Sequence, residues 1–237
     1  MENTHLSAST HPATNGCRLS SILWVSALAV LPSGCGLSDY QKQMAKEQQR
    51  IERLEEEDAK LGDPVQLPDK KDRPAAYFFR PPKPVAFVGV PVESSVFTRF
   101  GIGQNTVSYF QDVAVAIEGG KEDDFWAAVL RLVPNVKRTD ATDATIAGPG
   151  GNLVLKELKS EGGSLFAYVW SRGDVHAGVV FRLTRANDET ARKLMEMSLG
   201  TLTVGADAAR MHRAFQERTK QKADAARRKE AAARGDR

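Results

Sequence analysis

The chain has 237 residues, of which 41% are hydrophobic and 27% are charged, and its formal net charge is +3. This composition is ordinary for a globular protein and leaves room for one domain with accessory segments. After residue 35 no apolar run approaches the roughly 20 residues that a membrane-spanning helix needs, so this part of the chain is not expected to thread through a bilayer.

The first informative stretch is a short apolar run near the N-terminus. A single positive charge, Arg18, precedes the run from Ile22 to Leu31, and the small residues Ser33 and Gly34 lead to Cys35. This length and the small-residue exit are typical of the hydrophobic core of a secretory signal peptide. The pattern predicts a signal peptide over residues 1–34.

The end of this run, Leu31-Pro32-Ser33-Gly34-Cys35, resembles the lipobox of bacterial lipoprotein precursors. In that family the cysteine is lipidated, by palmitate or a similar acyl chain, and becomes the mature N-terminus. The resemblance implies a lipid anchor on Cys35 and a place in the cell envelope, at the outer membrane or the periplasmic face rather than in the cytoplasm. The alternatives are an ordinary cleaved signal and an uncleaved anchor. If Cys17 leaves with the signal and Cys35 is acylated, no internal disulfide forms.

An amphipathic helix is predicted next, within a segment of residues 35–62. From Leu37 to Leu61, apolar residues recur at alternating three- and four-residue spacing, as in a coiled-coil heptad. Glu47 and Asp58 interrupt this seam, and Gly62-Asp63-Pro64 ends the helix. Two interpretations remain open: weak self-association or a stalk through 37–61, and a single helix packed on its own domain or on the bilayer.

Residues 63–84 are rich in proline and predict a semi-rigid linker of extended geometry. Tyr77-Phe78-Phe79 and Val85-Ala86-Phe87-Val88 are apolar enough to dock on the following domain as edge strands. Arg80-Pro81-Pro82-Lys83-Pro84 also has the composition of a ligand for an aromatic groove, although a spacer is the preferred interpretation.

Residues 85–205 predict an α+β domain. Alternation predicts a strand over Thr106–Ile117, a helix follows over Glu122–Leu132, and a polar loop is expected from Thr139 to Gly151. Three further strands follow at Asn152–Lys159, Ser164–Ser171 and Val175–Thr184. The short glycine-containing links between them indicate an antiparallel three-stranded meander. Asn187 is the expected cap of a last helix that runs through Leu199. Helices are expected to cover the sheet.

This order of elements, with Ser198-Leu199-Gly200-Thr201-Leu202-Thr203-Val204 at the close of the last helix, is similar to PsbP-like domains over residues 106–204. The resemblance implies a binding or assembly-factor domain in which catalysis is not expected.

Residues 206–237 form a basic, alanine-rich tail. From Arg210 onward it has ten Lys and Arg residues against four acidic ones, which gives a net charge of 10 − 4 = +6. The composition predicts a solvated basic helix with a disordered tip. It can serve as a solubilising tail or attract an envelope protein or an anionic cell-wall polymer. Nucleic acid is not an expected partner, because the tail lacks interleaved aromatic residues.

The sequence contains no specific catalytic pattern. Asp174 and His176 lie two residues apart at a strand entrance and can be drawn as an acid–base pair, with Ser164 or Ser171 as a distant nucleophile. A turn aspartate with a surface histidine fits equally well. We therefore expect a non-catalytic envelope module without a cofactor or metal, and the alternative is an envelope hydrolase with its site near Asp174 and His176.

Overall fold

The computed structural model describes residues 35–65, 67, 75–83, 86–91, 96–101, 108–148 and 151–235. By its internal contacts the chain divides into two compact units, residues 1–48 and 49–237. The described part of the first unit is residues 35–48, which belong to one helix. The predicted signal peptide lies outside the described residues, and of the predicted lipobox only Cys35 lies within them.

Four helices and nine strands make up the described chain. The helices are α1 (Cys35–Lys60), α2 (Glu122–Leu132), α3 (Glu189–Gly200) and α4 (Ala206–Gly235). The strands are β1 (Tyr77–Phe78), β2 (Ala86–Pro91), β3 (Thr98–Gly101), β4 (Phe110–Gly119), β5 (Thr142–Gly148), β6 (Gly151–Lys159), β7 (Leu165–Arg172), β8 (Val175–Leu183) and β9 (Thr203–Val204).

Seven of the strands form one antiparallel sheet in the order β2-β3-β4-β8-β7-β6-β5. The hairpins β5–β6, β6–β7 and β7–β8 follow the chain, whereas β8 returns to pair with β4 over Phe110–Gly119. Gly163 and Gly173 have positive φ in two of the hairpin links, as tight turns require. The predicted α+β class, with an antiparallel meander and covering helices, is confirmed.

The two faces of this sheet are covered by different helices. Along β4, Val113, Val115 and Ile117 belong to a core cluster that includes Met195 and Leu199 of α3. The alternate residues of β4 belong to a second cluster, with Phe125, Trp126 and Val129 of α2. Successive side chains of a strand point to opposite faces, so α2 and α3 lie on opposite sides of the sheet.

The prediction of a loop from Thr139 to Gly151 is wrong. Residues 142–148 form β5, which pairs with β6 from Thr142 opposite Glu157 to Gly148 opposite Gly151. Only Ala144 and Ile146 of β5 pack against the core. Because β5 is an edge strand with one apolar side, its composition is close to that of a polar loop.

The cap of the last domain helix is one residue later than predicted. Asn187 has a φ of 56°, and the side chain of Asp188 accepts a hydrogen bond from the Ala191 amide at 2.9 Å. Asp188 is therefore the N-cap of α3.

The described part of the Pro-rich segment packs closely on the domain. Val65, Leu67, Phe78 and Phe79 are buried, and β1 pairs with β9 in a small second sheet. As predicted, Tyr77–Phe78 and Ala86–Pro91 become edge strands. Arg80, Pro81 and Pro82 are also buried, so they are not presented as a ligand for an aromatic groove.

Within the ranges that the structure describes, no helix is long and apolar enough to cross a membrane.

Candidate functional site

Two clefts flank the C-terminal half of α1, and Arg53 and Glu57 line both. The α3 cleft, about 490 Å³, lies between α1, α3 and β5, and its lining includes Arg53, Glu57, Ile146, Tyr168, Arg192 and Met197. The α4 cleft, about 380 Å³, lies between α1, β1 and α4, and its lining includes Arg53, Leu54, Phe78, Arg80, Met211 and Arg218. Both volumes are in the range of small-molecule or peptide-side-chain sites.

The element that fixes this region is the buried side chain of Arg80, which is 3% exposed. Its Nη1 donates to Asp58 Oδ1 at 2.7 Å, its Nε donates to the Gly62 carbonyl at 2.9 Å, and its Nη2 donates to the Leu61 carbonyl at 3.2 Å. A cation at the end of a helix also interacts favourably with the helix dipole. Arg80 therefore ties the end of α1 to the domain.

The backbone of Arg80 makes a second set of contacts with α3. Its amide donates to Thr201 Oγ1 at 2.9 Å, and its carbonyl accepts from Ser198 Oγ at 2.6 Å. Its guanidinium lies 4.8 Å from the ring centroid of Phe215 in α4. One residue thus joins α1, α3 and α4, and we call Asp58, Arg80, Ser198, Thr201 and Lys222 the polar corner.

Asp58 completes the polar corner by also accepting a hydrogen bond from Lys222 of α4. Burial acts to raise the pKa of the Asp58 carboxyl, but the hydrogen bonds from Lys222 and Arg80 outweigh burial and hold that pKa below its ordinary value. The carboxyl is therefore ionised over a wider pH range than a free aspartate.

The neighbouring carboxylate behaves in the opposite way. Burial raises the pKa of Glu57 above its ordinary value, although Arg53, Arg80 and Arg218 act to lower it. Arg53 Nε lies 3.5 Å from Glu57 Oε1, which is long for a charge-assisted hydrogen bond. Glu57 is therefore an incompletely compensated charge between the two clefts.

The floor of the α3 cleft is polar. Tyr168 Oη donates to Glu157 Oε1 at 3.3 Å, and Arg192 Nη2 lies 3.6 Å from the same oxygen. Burial, with the negative charge of Glu157 beside it, raises the pKa of the Tyr168 hydroxyl. This group is therefore a neutral hydrogen-bonding residue and not an acid.

The end of the α3 cleft is closed by an unusually near approach of β5 to α3. A Cβ placed on Gly200 would lie 2.8 Å from the Ala147 carbonyl oxygen, and one on Gly148 would lie 3.0 Å from the Gly200 carbonyl oxygen. A Cβ on Gly200 would force the backbone to shift, and one on Gly148 would make a tight contact, so the two glycines allow the helix and the edge strand to meet this closely.

Asp174 and His176 do not form the acid–base pair considered from the sequence. His176 is 1% exposed; its Nδ1 lies 3.0 Å from Ser171 Oγ and its Nε2 lies 3.0 Å from the Gly120 carbonyl. The carbonyl can only accept, so Nε2 carries a proton and donates to it. Both ring nitrogens are occupied without Asp174, an exposed turn residue. Neither cleft is lined by these residues.

The other sequence-level candidates have structural partners. Asp140 Oδ2 accepts from the Lys137 amide, and Asp143 pairs with Lys156 on the neighbouring strand. Trp126 is buried, and its indole donates to Glu122. Among the described residues, no group of three His, Cys, Asp or Glu side chains has the arrangement of a metal site.

Two segments for which the sequence predicts a partner, residues 37–61 and the basic tail, lie in helices α1 and α4. Tyr40, Met44 and Ile51 of α1 are exposed, at 60%, 53% and 48%. The second half of α4 is solvent-exposed from Ala225 through Arg234. Self-association through 37–61 and the binding of an anionic polymer by the tail remain predictions.

Sequence reasoning missed the polar corner and both clefts. A signal was present: Asp58 interrupts the apolar seam of α1, and Arg80 follows three aromatic residues. A charge in an apolar pattern is often paired when it is buried. However, Arg80, the partner of Asp58, lies 22 residues away in the sequence, and no periodicity marks it.

Comparison with known proteins gives no match, either to a model of a protein family or to a curated protein.

Proposed function

We propose that the chain is a lipoprotein of the bacterial cell envelope, attached to a membrane through Cys35, and that its α+β domain is a non-catalytic binding or assembly module. The anchor rests on the resemblance of Leu31–Cys35 to a lipobox. A diacylated cysteine would supply two buried chains, the number that stable anchoring needs.

The observation that carries the binding role is the α3 cleft. Its charges are mixed, with Arg53 and Arg192 near Glu57 and Glu157, and Ile146 and Met197 add apolar surface. A polar peptide segment of an envelope protein has the matching chemistry, because it offers both donors and acceptors to a mixed surface.

The anchor is tested by intact mass and detergent fractionation of the protein expressed in a bacterial host. Wild type, Cys35→Ser and the matched control Cys17→Ser should be compared. We expect acyl mass and detergent partitioning in wild type and in Cys17→Ser, and neither in Cys35→Ser. Equal mass and equal fractionation of all three proteins would refute the anchor.

The binding role is tested by placing a photo-crosslinking residue at Met197 in living cells. Val154, which is 59% exposed and outside the α3 cleft, is the control position. A discrete crosslinked species from position 197 but not from 154 supports a partner in the cleft. The same species from both positions, or none from either, contradicts it.

The surroundings of His176 do not favour the hydrolase alternative. A general base must be able to pass a proton to the leaving group, and the ring of His176 is enclosed with both nitrogens bonded.

A further inference from the structure

The α4 cleft has a chemistry that the proposed peptide binding does not use. Four arginines, Arg50, Arg53, Arg80 and Arg218, contribute to its lining, against the two carboxylates Glu57 and Glu217. The guanidinium of Arg80 is already occupied by Asp58 and two carbonyls. Arg53 and Arg218 add positive charge to the cleft beside the two carboxylates.

Arg218 provides the specific observation. Its Nη1 is buried and has no hydrogen-bond partner within the described residues. Its guanidinium lies 5.8 Å from the ring of Phe215, a contact that orients the group but offers no acceptor. A buried N–H without an acceptor is unfavourable, and an oxyanion in the cleft would satisfy it once the Arg218 side chain turns towards it.

Arg53 lies in the same cleft and can contribute a second donor. Its Nε lies 3.5 Å from Glu57 Oε1. Arg53 and Arg218 both act to lower the pKa of Glu57, so this carboxylate shares the cleft with the two arginines. The guanidinium fork matches the geometry of carboxylate and phosphate groups.

Apolar side chains line the remainder of the α4 cleft. Phe78 is 1% exposed, and Leu54 and Met211 are half-buried. Methionine is flexible and adapts to chains of irregular shape. The cleft therefore presents an apolar surface next to a cationic one.

We propose that the α4 cleft binds an anionic amphiphile, a molecule with a carboxylate or phosphate head on an acyl chain. The head contacts Arg218 and Arg53, and the chain lies over Leu54 and Met211. This site does not involve the anchor on Cys35, and it shares Arg53 and Glu57 with the α3 cleft.

The test is calorimetric binding to the full chain carrying Cys35→Ser, so that no acyl group of its own competes. The probes are dodecanoate, inorganic phosphate, a neutral dodecyl glycoside, and vesicles of phosphatidylglycerol. We expect binding of dodecanoate or of the vesicles, at least about tenfold tighter than binding of phosphate or the glycoside. Dodecanoate binding identifies a free fatty acid, whereas binding of the vesicles alone identifies a phospholipid head group in the cleft only if Arg218→Gln weakens it and Arg228→Gln does not. Equal affinity for phosphate, or for the neutral glycoside, would overturn the proposal.

Variants separate the cleft from the general charge of α4. Arg218→Gln should weaken binding about tenfold or more, the effect of losing a charge-assisted hydrogen bond. Arg228→Gln, at an exposed position of the same helix, should leave dodecanoate affinity unchanged. Met211→Glu, which places a carboxylate in the cleft, is the second variant should Arg218→Gln fold poorly. Equal effects of Arg218→Gln and Arg228→Gln, or no effect of Met211→Glu, would refute the site.

Discussion

The centre of the sheet and the polar corner stabilise the domain by different physical means. At the centre, β4 and β8 bury apolar side chains on both faces, and Val113, Val115 and Phe181 have no more than 1% exposure. At the polar corner, a buried guanidinium and a carboxylate join three helices. The stability of the centre depends on the apolar area that it buries, whereas the stability of the corner depends on the pairing of each of its charges.

This difference explains why the two clefts lie beside the corner. Apolar packing at the sheet centre leaves little room, since protein interiors are close-packed. Helices joined by directional contacts meet at a few points, and space remains on either side of α1. The same comparison predicts that the two regions will respond differently when a side chain is removed, when a methyl group is added and when the pH is changed.

The largest loss is expected from Phe181→Ala at the sheet centre. Phe181 is fully buried and has ring centroids of Phe79, Phe110 and Tyr168 within 6.4 Å. Its removal leaves a cavity and should lower the free energy of unfolding by about 4 kcal/mol. Urea unfolding measures it, with exposed Val154→Ala as a control expected within about 0.5 kcal/mol of wild type. A loss below about 1 kcal/mol would mean that the centre is loosely packed.

Arg80→Ala should be next, with a loss of about 3 kcal/mol, because it removes one of the two donors to Asp58 and the guanidinium donors to two carbonyls. Arg228→Ala is the exposed control. The low pKa of Asp58 means that its contribution is present above its ordinary pKa and is lost as pH falls through the folded value. The cost of Arg80→Ala should therefore shrink in acid, and a cost that is independent of pH would contradict the pairing.

The sheet centre could be largely predicted from sequence, and the corner could not. The bounds of α2 and the three meander strands follow from local periodicity and glycine turns, signals that lie within about ten residues of one another. Arg80 and Thr201 are 121 residues apart, and their contact follows only from the folded topology. Strand β5 was not predicted for a related reason. Its apolar side chains, Ala144 and Ile146, pack on a core that includes residues of α3, which is distant in sequence.

Gly200→Ala probes the contact between α3 and the edge strand. The added Cβ would lie 2.8 Å from the Ala147 carbonyl oxygen, so backbone has to move. We expect a loss of about 2 kcal/mol, typical of overpacking. Gly162→Ala, at a glycine whose added Cβ meets nothing within 4 Å, is the control. Thermal unfolding of both proteins measures the difference, and equal stability would show that the α3 cleft can widen freely.

The smallest effect is expected from Glu57→Gln. Burial raises the pKa of Glu57 despite the nearby Arg53, Arg80 and Arg218, so its ionised form is less favourable in the folded chain than in the unfolded one. The neutral isostere should therefore raise the free energy of unfolding at pH 7 by less than about 1 kcal/mol. As pH falls through the raised folded pKa towards the ordinary one, wild type takes up a proton and the difference should disappear. The pKa of Asp58 is shifted in the opposite direction, so the stability that Asp58 contributes is lost as pH falls. Urea unfolding between pH 7 and pH 4 therefore distinguishes the contributions of the two adjacent carboxylates.

If Glu57→Gln instead loses stability at pH 7, Arg53 and Glu57 form an effective pair. In that case Arg53 is not available to an anion, and the α4 cleft would depend on Arg218 alone.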